Sequence, residues 1–364
     1  MNHEYEIALL PGDGIGAEVV EAAVKVLSAT GRELGVGLNY KTYEVGADLY
    51  RRTGISISEE TMEAIGAADA ILLGAAGLPD VRREDGTEIV PQIEIREHYG
   101  LFASLRPARL FPGVPTRVKA DYVNMLVIRE TTEGLFAGRN DPIEDSDEAV
   151  SDRLTITRAT SERLFDLAFE QAVARRVNEG TPGHVTLLDK SNVLRSNAFM
   201  RKIFDEVAAR HPDITSDHLY IDAGSMMLVT HPERFDVVVS ENVFGDITSE
   251  IAAGVVGGLG VAPSGDISLE HGVFQPCHGS APDIAGLGVA NPIATILSAA
   301  MLLDWLAERH ADDLCRSAAV RIRQAVACVL ESGPRTRDLG GTASTNEVAT
   351  AVAEFVRAAK TPAI

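Results

Sequence analysis

Hydrophobic positions along the chain fall into two alternating kinds of segment. Short runs rich in β-branched and aliphatic residues predict strands at Glu6–Leu10, Tyr40–Glu44, Ala70–Leu73, Met125–Ile128, Val185–Leu188, Leu219–Asp222 and Val237–Val239. Longer stretches with apolar residues at helical spacing predict helices at Glu18–Leu34, Glu59–Ala67, Arg158–Asn178, Pro292–Arg309, Asp312–Glu331 and Thr345–Ala359. This alternation predicts an α/β fold, in which helices pack on a largely parallel sheet.

The length and charge of the chain limit what it can be. Its 364 residues, 45% of them hydrophobic, suffice for one large core or two smaller ones, and the length favours two domains. A net charge of −20 argues against nucleic-acid binding, which needs clustered Lys and Arg. Local arginines must therefore bind any anionic ligand.

No segment predicts export or membrane insertion. The first residues lack a basic stretch followed by an apolar one, and the weakly polar run Ile251–Pro263 is short and rich in Gly. Cys277, Cys315 and Cys328 lack metal-ligand spacing and suit a reducing compartment. We therefore expect a cytoplasmic protein with neither a membrane nor nucleic acid as partner.

Two glycine-containing segments are candidates for holding a nucleotide. Gly12–Ala17 follows a predicted strand and opens a predicted helix, and its spacing fits a permissive dinucleotide fingerprint, with Glu44 closing the next strand. Val273–Pro292 concentrates glycines, prolines, His278 and Asp283 in a stretch that no core helix or strand would select. The residues by themselves leave an ordinary Rossmann site at the first segment open.

Asp283 indicates which nucleotide the second segment would take. Its carboxylate can accept hydrogen bonds from the 2′- and 3′-hydroxyls of an adenosine ribose, and it would repel a 2′-phosphate. NAD is therefore the predicted cofactor. The alternative is a loop aspartate that only caps a turn.

Charged residues in the middle of the chain have side-chain chemistry that suits a diacid and a metal ion. Arg96, Arg106 and Arg129 carry forked guanidinium groups, each able to bind one carboxylate of a malate-like diacid through two hydrogen bonds. Asp246 and Glu250 are four residues apart, on one face of a helix, where like charges repel unless a cation joins them. Their oxygen atoms suit Mg²⁺ or Mn²⁺. By residue type and spacing alone, solvated arginines and a polar helix face are the more common outcome.

The order of these motifs closely resembles that of the decarboxylating β-hydroxyacid dehydrogenases, the family of isocitrate, 3-isopropylmalate, homoisocitrate, tartrate and D-malate dehydrogenases. The resemblance runs from Leu10–Gly16 to Asp338–Ala343. It implies an isopropylmalate-dehydrogenase-like, two-domain α/β fold with a cleft between the domains, where ligands would bind. The NAD-binding domain would be discontinuous (residues 1–103 plus 258–364), and residues 104–257 would form an inserted domain for substrate, metal and dimerisation.

Further roles follow only from the resemblance. It implies that NAD binds to His278, Gly279, Ser280, Ala281, Pro282, Asp283, Ile284 and Asn291, with Asn192 near the nicotinamide. Lys190 matches the catalytic lysine of the family, which would accept the hydroxyl proton as hydride leaves. Asp222 would bind the metal together with Asp246 and Glu250. In the family Lys190 and Asp222 come from the partner subunit, which implies a homodimer with shared active sites.

Two positions depart from the family pattern. Phe136 stands where the family has a tyrosine that protonates the enolate, and Glu250 stands where the family usually has Asp. Water or Lys190 would supply the missing proton, unless the substrate needs no such acid or the step has been lost. A non-catalytic dimer that binds NAD or a dicarboxylate is therefore the alternative from another functional class.

The helix before Arg96 offers mixed chemistry to a substrate. Gln92 and Ile93 replace the paired leucines that contact the isopropyl group in 3-isopropylmalate dehydrogenases, whereas Thr132–Gly134 resembles the tartrate, malate and isocitrate branches. We expect oxidative decarboxylation of a 3-substituted malate or similar 2-hydroxy diacid, of the 3-isopropylmalate type. Tartrate or D-malate dehydrogenase activity is the alternative.

Overall fold

The computed structural model describes residues 4–140 and 144–358. Its strands are β1 (Glu4–Gly12), β2 (Gly37–Thr42), β3 (Ala70–Ala75), β4 (Ala103–Arg109), β5 (Asn124–Glu130), β6 (Glu144–Asp145), β7 (Val150–Ser151), β8 (His184–Asp189), β9 (Thr215–Tyr220), β10 (Val237–Ser240), β11 (Pro263–Ile267) and β12 (Gly272–Pro276). Its helices are α1 (Gly16–Leu34), α2 (Ala47–Thr53), α3 (Glu59–Gly66), α4 (Pro91–Tyr99), α5 (Gly134–Ala137), α6 (Arg158–Glu179), α7 (Arg195–Ala208), α8 (Ile221–Thr230), α9 (Asn242–Val255), α10 (Ile293–His310), α11 (Asp313–Ser332) and α12 (Thr345–Ala358).

The α/β class predicted from the hydrophobic pattern is confirmed. Two strand predictions are wrong at their carboxyl ends. The predicted run Tyr40–Glu44 passes the end of β2 at Thr42, so Glu44 does not close that strand. The predicted run Leu219–Asp222 is split, because β9 ends at Tyr220 and Asp222 lies in the first turn of α8. An acidic side chain there stabilises the positive end of the helix dipole, which a strand assignment does not take into account.

The chain divides into two compact units. The first comprises the chain up to Tyr99, the segment Phe111–Pro115 and the chain from Gly257 onward, and the second comprises Gly100–Leu110 and Thr116–Val256. The first unit is therefore built from both ends of the chain.

The first unit contains strands in the order β2-β1-β3-β12-β11. Strands β1, β2, β3 and β12 pair in parallel, while β11 is antiparallel to β12. Strand β3 is buried along its whole length, which explains its continuous run of small and aliphatic residues. Helix α10 is also buried on most of its surface and contacts β3, β11 and β12. Among the residues described, no helix is both long and apolar enough to cross a bilayer.

The second unit contains strands in the order β4-β5-β10-β8-β9. Strands β5, β10, β8 and β9 are parallel, and β4 is antiparallel to β5. Buried side chains of β5, β8 and β10 pack with α8 and α9 in one apolar cluster that includes Val127, Leu188, Leu228, Val238 and Ala252. The carboxyl ends of the parallel strands share one edge, where open α/β sheets bind their ligands.

A buried ion pair connects α6 to the residue before β10. Arg175 donates through Nε to Asp236 Oδ1 at 2.8 Å and through Nη2 to the Asn124 carbonyl at 2.7 Å. Asp236 Oδ2 accepts hydrogen bonds from the amides of Gly183 and His184 at 2.9 and 3.2 Å. Removing this carboxylate would leave a buried positive charge and two amides without their acceptor.

We therefore expect Asp236→Ala to lower the free energy of unfolding by about 3–5 kcal/mol, measured by urea denaturation. The matched control is Arg210→Ala, which removes an exposed ion pair with Asp166 and should change stability little. Equal losses in the two variants would contradict the importance assigned to the buried pair.

Candidate active site

The register of β4 and β5 directs two arginines to the same side of the sheet. Ser104 lies opposite Arg129, and Arg106 lies two residues further along β4. The arginines are nearly buried, with Arg106 8% and Arg129 2% exposed. Arg106 donates through Nε to Ser104 Oγ at 3.3 Å and through Nη1 to Ser249 Oγ at 2.9 Å.

Helix α9 brings two carboxylates to these arginines. Asp246 and Glu250 are one helical turn apart on α9. Asp246 Oδ1 accepts a hydrogen bond from Arg129 Nη1 and lies 3.4 Å from Arg106 Nη1. Glu250 Oε1 lies 3.9 Å from the same Arg106 nitrogen. Two partly exposed carboxylates thus compensate the charge of two buried guanidinium groups.

The acidic pair has the donor chemistry of a hard divalent cation. Burial raises the pKa of Glu250, the charge of Arg106 opposes that shift, and the negative charge of Asp246 adds to it. A cation between the two carboxylates would remove their repulsion, and oxygen donors suit Mg²⁺ or Mn²⁺. Across residues 4–140 and 144–358, no three His, Cys, Asp or Glu side chains gather in an arrangement that could hold a metal. The pair would supply two ligands.

Asn242 fixes the plane of the Arg129 guanidinium. Arg129 donates to Asn242 Oδ1 through Nε at 3.1 Å and through Nη2 at 2.8 Å, while Asn242 Nδ2 donates to the Glu133 carbonyl at 2.9 Å. The ring centroid of Phe136 lies 5.3 Å from the guanidinium carbon of Arg129. Motif matching does not single out Asn242; the available signal is a polar residue soon after a buried parallel strand.

The turn after β8 holds Lys190 in a defined position. Asp189 is fully buried, accepts the Ser191 amide at 2.9 Å and forms a two-pronged ion pair with Arg201, with both distances 2.7 Å. From this anchored turn, Lys190 Nζ donates to Asp222 Oδ1 at 2.7 Å.

The hydrogen bond from Lys190 holds the pKa of Asp222 below its usual value. Asp222 is largely exposed at the start of α8, and Asn192 is exposed in the turn that follows Lys190. In the described part of the chain, Asp222 is paired with Lys190 and is not gathered with Asp246 and Glu250 into a metal site.

In the first unit, the loop after β12 packs directly against the glycine turn Gly12–Ala17. The Ile15 amide donates to the Ser280 carbonyl at 2.8 Å. Gly14 has a φ of +57°, and a Cβ there would lie 2.0 Å from the same carbonyl oxygen. The space and the amide that a phosphate would use are therefore taken by the loop after β12, which argues against a Rossmann site here.

Asp13 is a further residue that the motif does not explain. Its buried carboxylate accepts hydrogen bonds from the amides of Ala47, Asp48 and Gly77 at 2.7, 2.9 and 2.8 Å. The Ser280 hydroxyl donates to the Gly77 carbonyl. Asp13 therefore connects the end of β1 to the same segment that contacts the loop after β12.

The loop from His278 to Asn291 is anchored at its carboxyl end. Asn291 Nδ2 donates to Asp338 Oδ2 at 2.9 Å, and its Oδ1 accepts the Ile293 amide at 3.0 Å. Ile284 packs against an apolar cluster at the start of α1.

Two polar groups of this loop, the Asp283 carboxylate and His278 Nε2, have no hydrogen-bond partner among the residues that the structure describes. Pro282 and Asp283 are exposed, and no described residue donates a hydrogen bond to the Asp283 carboxylate, so it does not cap the turn. Instead, the Ile284 amide closes the turn on the carbonyl of Ala281, which has a φ of +37°. His278 Nε2 is buried without a partner, and burial lowers the pKa of this histidine. A Cβ on Gly279 would meet no neighbour, so this backbone is open to a ligand.

Helix α4 carries the remaining predicted substrate residues in the first unit. Gln92 and Arg96 are one turn apart on one face, and Ile93 is half-buried beside them. Gln92 Oε1 is buried, and none of the described residues donates a hydrogen bond to it. Arg96 donates through Nε to Asp266 Oδ2 at 2.8 Å.

Comparisons with known proteins agree on one family. Residues 6–352 match the family described as isocitrate/isopropylmalate dehydrogenase. The 3-isopropylmalate/3-methylmalate dehydrogenase of Methanocaldococcus jannaschii is 42% identical over 355 residues, which cover 97% of this chain and 99% of that protein. The isocitrate/homoisocitrate dehydrogenase of Thermus thermophilus is 42% identical over 360 residues, again covering 97% and 99%.

A solved structure supports the same assignment. The crystal structure of isocitrate dehydrogenase from Methylococcus capsulatus has a TM-score of 0.85 and 36% sequence identity, covering 97% of this chain and 99% of that one. The chain therefore belongs to the isocitrate/isopropylmalate dehydrogenase family and is a decarboxylating dehydrogenase that acts on a CH–OH group.

Proposed function

We propose that this chain catalyses the NAD-dependent oxidative decarboxylation of a 3-substituted malate or similar 2-hydroxy diacid, with Mg²⁺ or Mn²⁺ as the metal. Family membership implies a nucleotide cofactor and a divalent metal. The observation that carries the choice of a diacid is the cluster of Arg106, Arg129, Asp246 and Glu250 in the second unit. Guanidinium groups bind carboxylates, and the acidic pair suits a hard cation.

The proposed reaction begins with proton and hydride removal at C2. Arg106 and Arg129 would hold the substrate carboxylates. Lys190, positioned by Asp222, would accept the hydroxyl proton in its neutral amine form, directly or through water. NAD⁺, bound at its proposed loop, would supply the hydride acceptor, and the substrate would become a 2-oxo diacid. The C3–carboxylate bond then breaks, CO₂ leaves, and the bonding electrons move onto the C2 oxygen as an enolate. A divalent cation would stabilise the negative charge on that oxygen.

The last step is protonation of the enolate at C3. Phe136 has no proton to donate, although its ring lies beside Arg129. We assign this proton to water or to Lys190. A Tyr at this position would supply a general acid, which typically contributes ~10²–10⁴-fold to a rate.

The loop from His278 to Asn291 is the proposed NAD site. Support comes from the exposed Asp283 carboxylate, the unpartnered Nε2 of His278 and the open backbone at Gly279. Asp283 would accept hydrogen bonds from the ribose hydroxyls and would disfavour a 2′-phosphate. Asn192 would approach the nicotinamide.

A homodimer with shared active sites is part of the same proposal. Helices α8 and α9 contact each other and expose apolar side chains: Met226, Val229 and Ile247 are 60, 47 and 53% exposed. Exposed apolar patches are typical of interaction sites. A second copy is the proposed occupant, because Asp222 lies on α8 and the partner's copy would complete the ligand set of Asp246 and Glu250.

Gln92 favours a second candidate substrate, tartrate. Its buried, unpartnered Oε1 would accept a hydrogen bond from a 3-hydroxyl group, which an isopropyl group cannot donate. Sequence identity does not single out one substrate, since a 3-isopropylmalate/3-methylmalate dehydrogenase and an isocitrate/homoisocitrate dehydrogenase are both 42% identical to this chain.

The direct test is NADH formation and CO₂ release with Mn²⁺ and 3-isopropylmalate, D-malate, L- and D-tartrate, isocitrate or homoisocitrate. We expect turnover of one diacid, with NAD⁺ preferred over NADP⁺, and a faster rate in Phe136→Tyr if protonation limits turnover. If neither wild type nor Phe136→Tyr reduces NAD⁺ while a diacid still raises the melting temperature, the alternative of a non-catalytic, dicarboxylate-binding protein is favoured.

A mixing experiment tests whether the active sites are shared. Lys190→Ala and Asp246→Asn should each be inactive, but their heterodimer would contain one site with both wild-type groups. Unfolding and refolding an equal mixture should restore roughly one quarter of wild-type activity if subunits pair randomly in a twofold dimer. Each variant refolded alone is the control. If the mixture is no more active than the controls, each site lies within one chain.

A further inference from the structure

A buried carboxylate contacts the side of the Arg96 guanidinium. Asp266 lies on β11 and is 1% exposed, and its Oδ2 is 2.8 Å from Arg96 Nε; Arg96 itself is 7% exposed. Burying both charges is costly unless their geometry is good, and the two residues are 170 positions apart in the chain. No recognised motif requires an acid at this position.

The contact with Asp266 occupies the Nε side of the Arg96 guanidinium and does not involve the two terminal nitrogens. Asp266 takes the hydrogen of Nε, whereas Nη1 and Nη2 form the edge that can bind a carboxylate with two parallel hydrogen bonds. Within the described part of the chain, no acceptor contacts either terminal nitrogen. The Arg96 guanidinium is therefore held through Nε, and Nη1 and Nη2 remain available to a ligand.

Gln275 adds a second hydrogen bond to the same carboxylate oxygen. Its Nε2 donates to Asp266 Oδ2 at 2.8 Å, and the antiparallel register pairs Asp266 with Val273 on β12. Strand β12 ends at Pro276, shortly before His278. Asp266 thus links α4, which carries Arg96, to the strand that leads into the proposed NAD loop.

We propose that Asp266 is a positioning residue for the substrate: it holds the Arg96 guanidinium so that Nη1 and Nη2 face a substrate carboxylate. This inference rests on the proposed function, with Arg96 as one of the arginines that bind the diacid. Asp266 itself contacts neither substrate nor metal and acts through Arg96. The energetic reason is preorganisation, since an arginine already held in one orientation loses less freedom when the diacid binds.

A purely structural role for Asp266 makes a different prediction. It would lower the melting temperature and the folded fraction, but KM and Kd do not depend on how much of the sample is folded. If Asp266 has a positioning role, replacing it weakens binding of the diacid and leaves binding of NAD⁺ unchanged. It also makes the effects of Asp266 and Arg96 non-additive, because both act through one contact.

The test measures KM for the diacid, KM for NAD⁺, kcat, and the diacid Kd by calorimetry. Asp266→Ala should raise diacid KM and Kd about tenfold with kcat and the NAD⁺ KM nearly unchanged, because diacid binding must then also immobilise the Arg96 side chain. Asp266→Asn keeps an acceptor for Nε and should fall between wild type and Asp266→Ala; it also serves if the Ala variant does not fold. In an Arg96→Gln background, Asp266→Ala should add no further loss.

The matched control is Asp236→Asn, which weakens a buried Arg–Asp pair of the same Nε–Oδ geometry without touching the proposed site. It should lower the melting temperature and leave the diacid KM unchanged. An unchanged diacid KM in Asp266→Ala and Asp266→Asn, or a full additional loss in the Arg96→Gln background, would overturn the inference. If wild type binds a diacid without turnover, the proposed reaction fails, and Kd alone decides the role of Asp266. If wild type binds no diacid, both fail.

Discussion

Buried guanidinium groups must be compensated before any ligand arrives, and this constraint applies within each of the two units. Arg96, Arg106 and Arg129 are all less than a tenth exposed. The chain meets the constraint with Asp266 for Arg96 and with Asp246 for both Arg106 and Arg129. Uncompensated, such charges would cost several kcal/mol each. Asp266 and Asp246 therefore both compensate buried charge, and the partly exposed Asp246 is also accessible to a cation.

The two kinds of compensation have different consequences. Asp266 is buried and contacts Arg96 through Nε, so this pair can persist when a ligand binds at the terminal nitrogens. Asp246 is partly exposed and contacts Arg129 through a terminal nitrogen, where a substrate carboxylate would also bind. A divalent cation that took over Asp246 and Glu250 would make the guanidinium edges of Arg106 and Arg129 available to the diacid. Cation and substrate should then bind cooperatively.

Local pattern predicted much of this molecule, and tertiary contacts decided the rest. The strand and helix alternation and the four-residue spacing of Asp246 and Glu250 are local properties, and the structure has both. The glycine turn Gly12–Ala17 shows the limit of local pattern. Its spacing fits a dinucleotide fingerprint, but the carbonyl of Ser280, which is distant in sequence, occupies the space that a phosphate would need. Likewise, no local signal pairs Arg96 with Asp266 or Arg129 with Asn242, which lies 113 positions away in the chain. The strand prediction wrongly includes Asp222. Leu219 and Ile221 alternate with Tyr220 and Asp222, a pattern typical of a strand, although the chain passes from β9 to α8 between Tyr220 and Ile221.

The central claim is that Arg106, Arg129, Asp246 and Glu250 form one site for a diacid and a divalent cation. Calorimetric titration of the preferred diacid into the protein, in EDTA and in Mn²⁺, tests it most directly. We predict a Kd at least about tenfold lower in Mn²⁺, because a cation that occupies the acidic pair releases the guanidinium edges for the substrate. An equal Kd in EDTA and in Mn²⁺ would contradict the account.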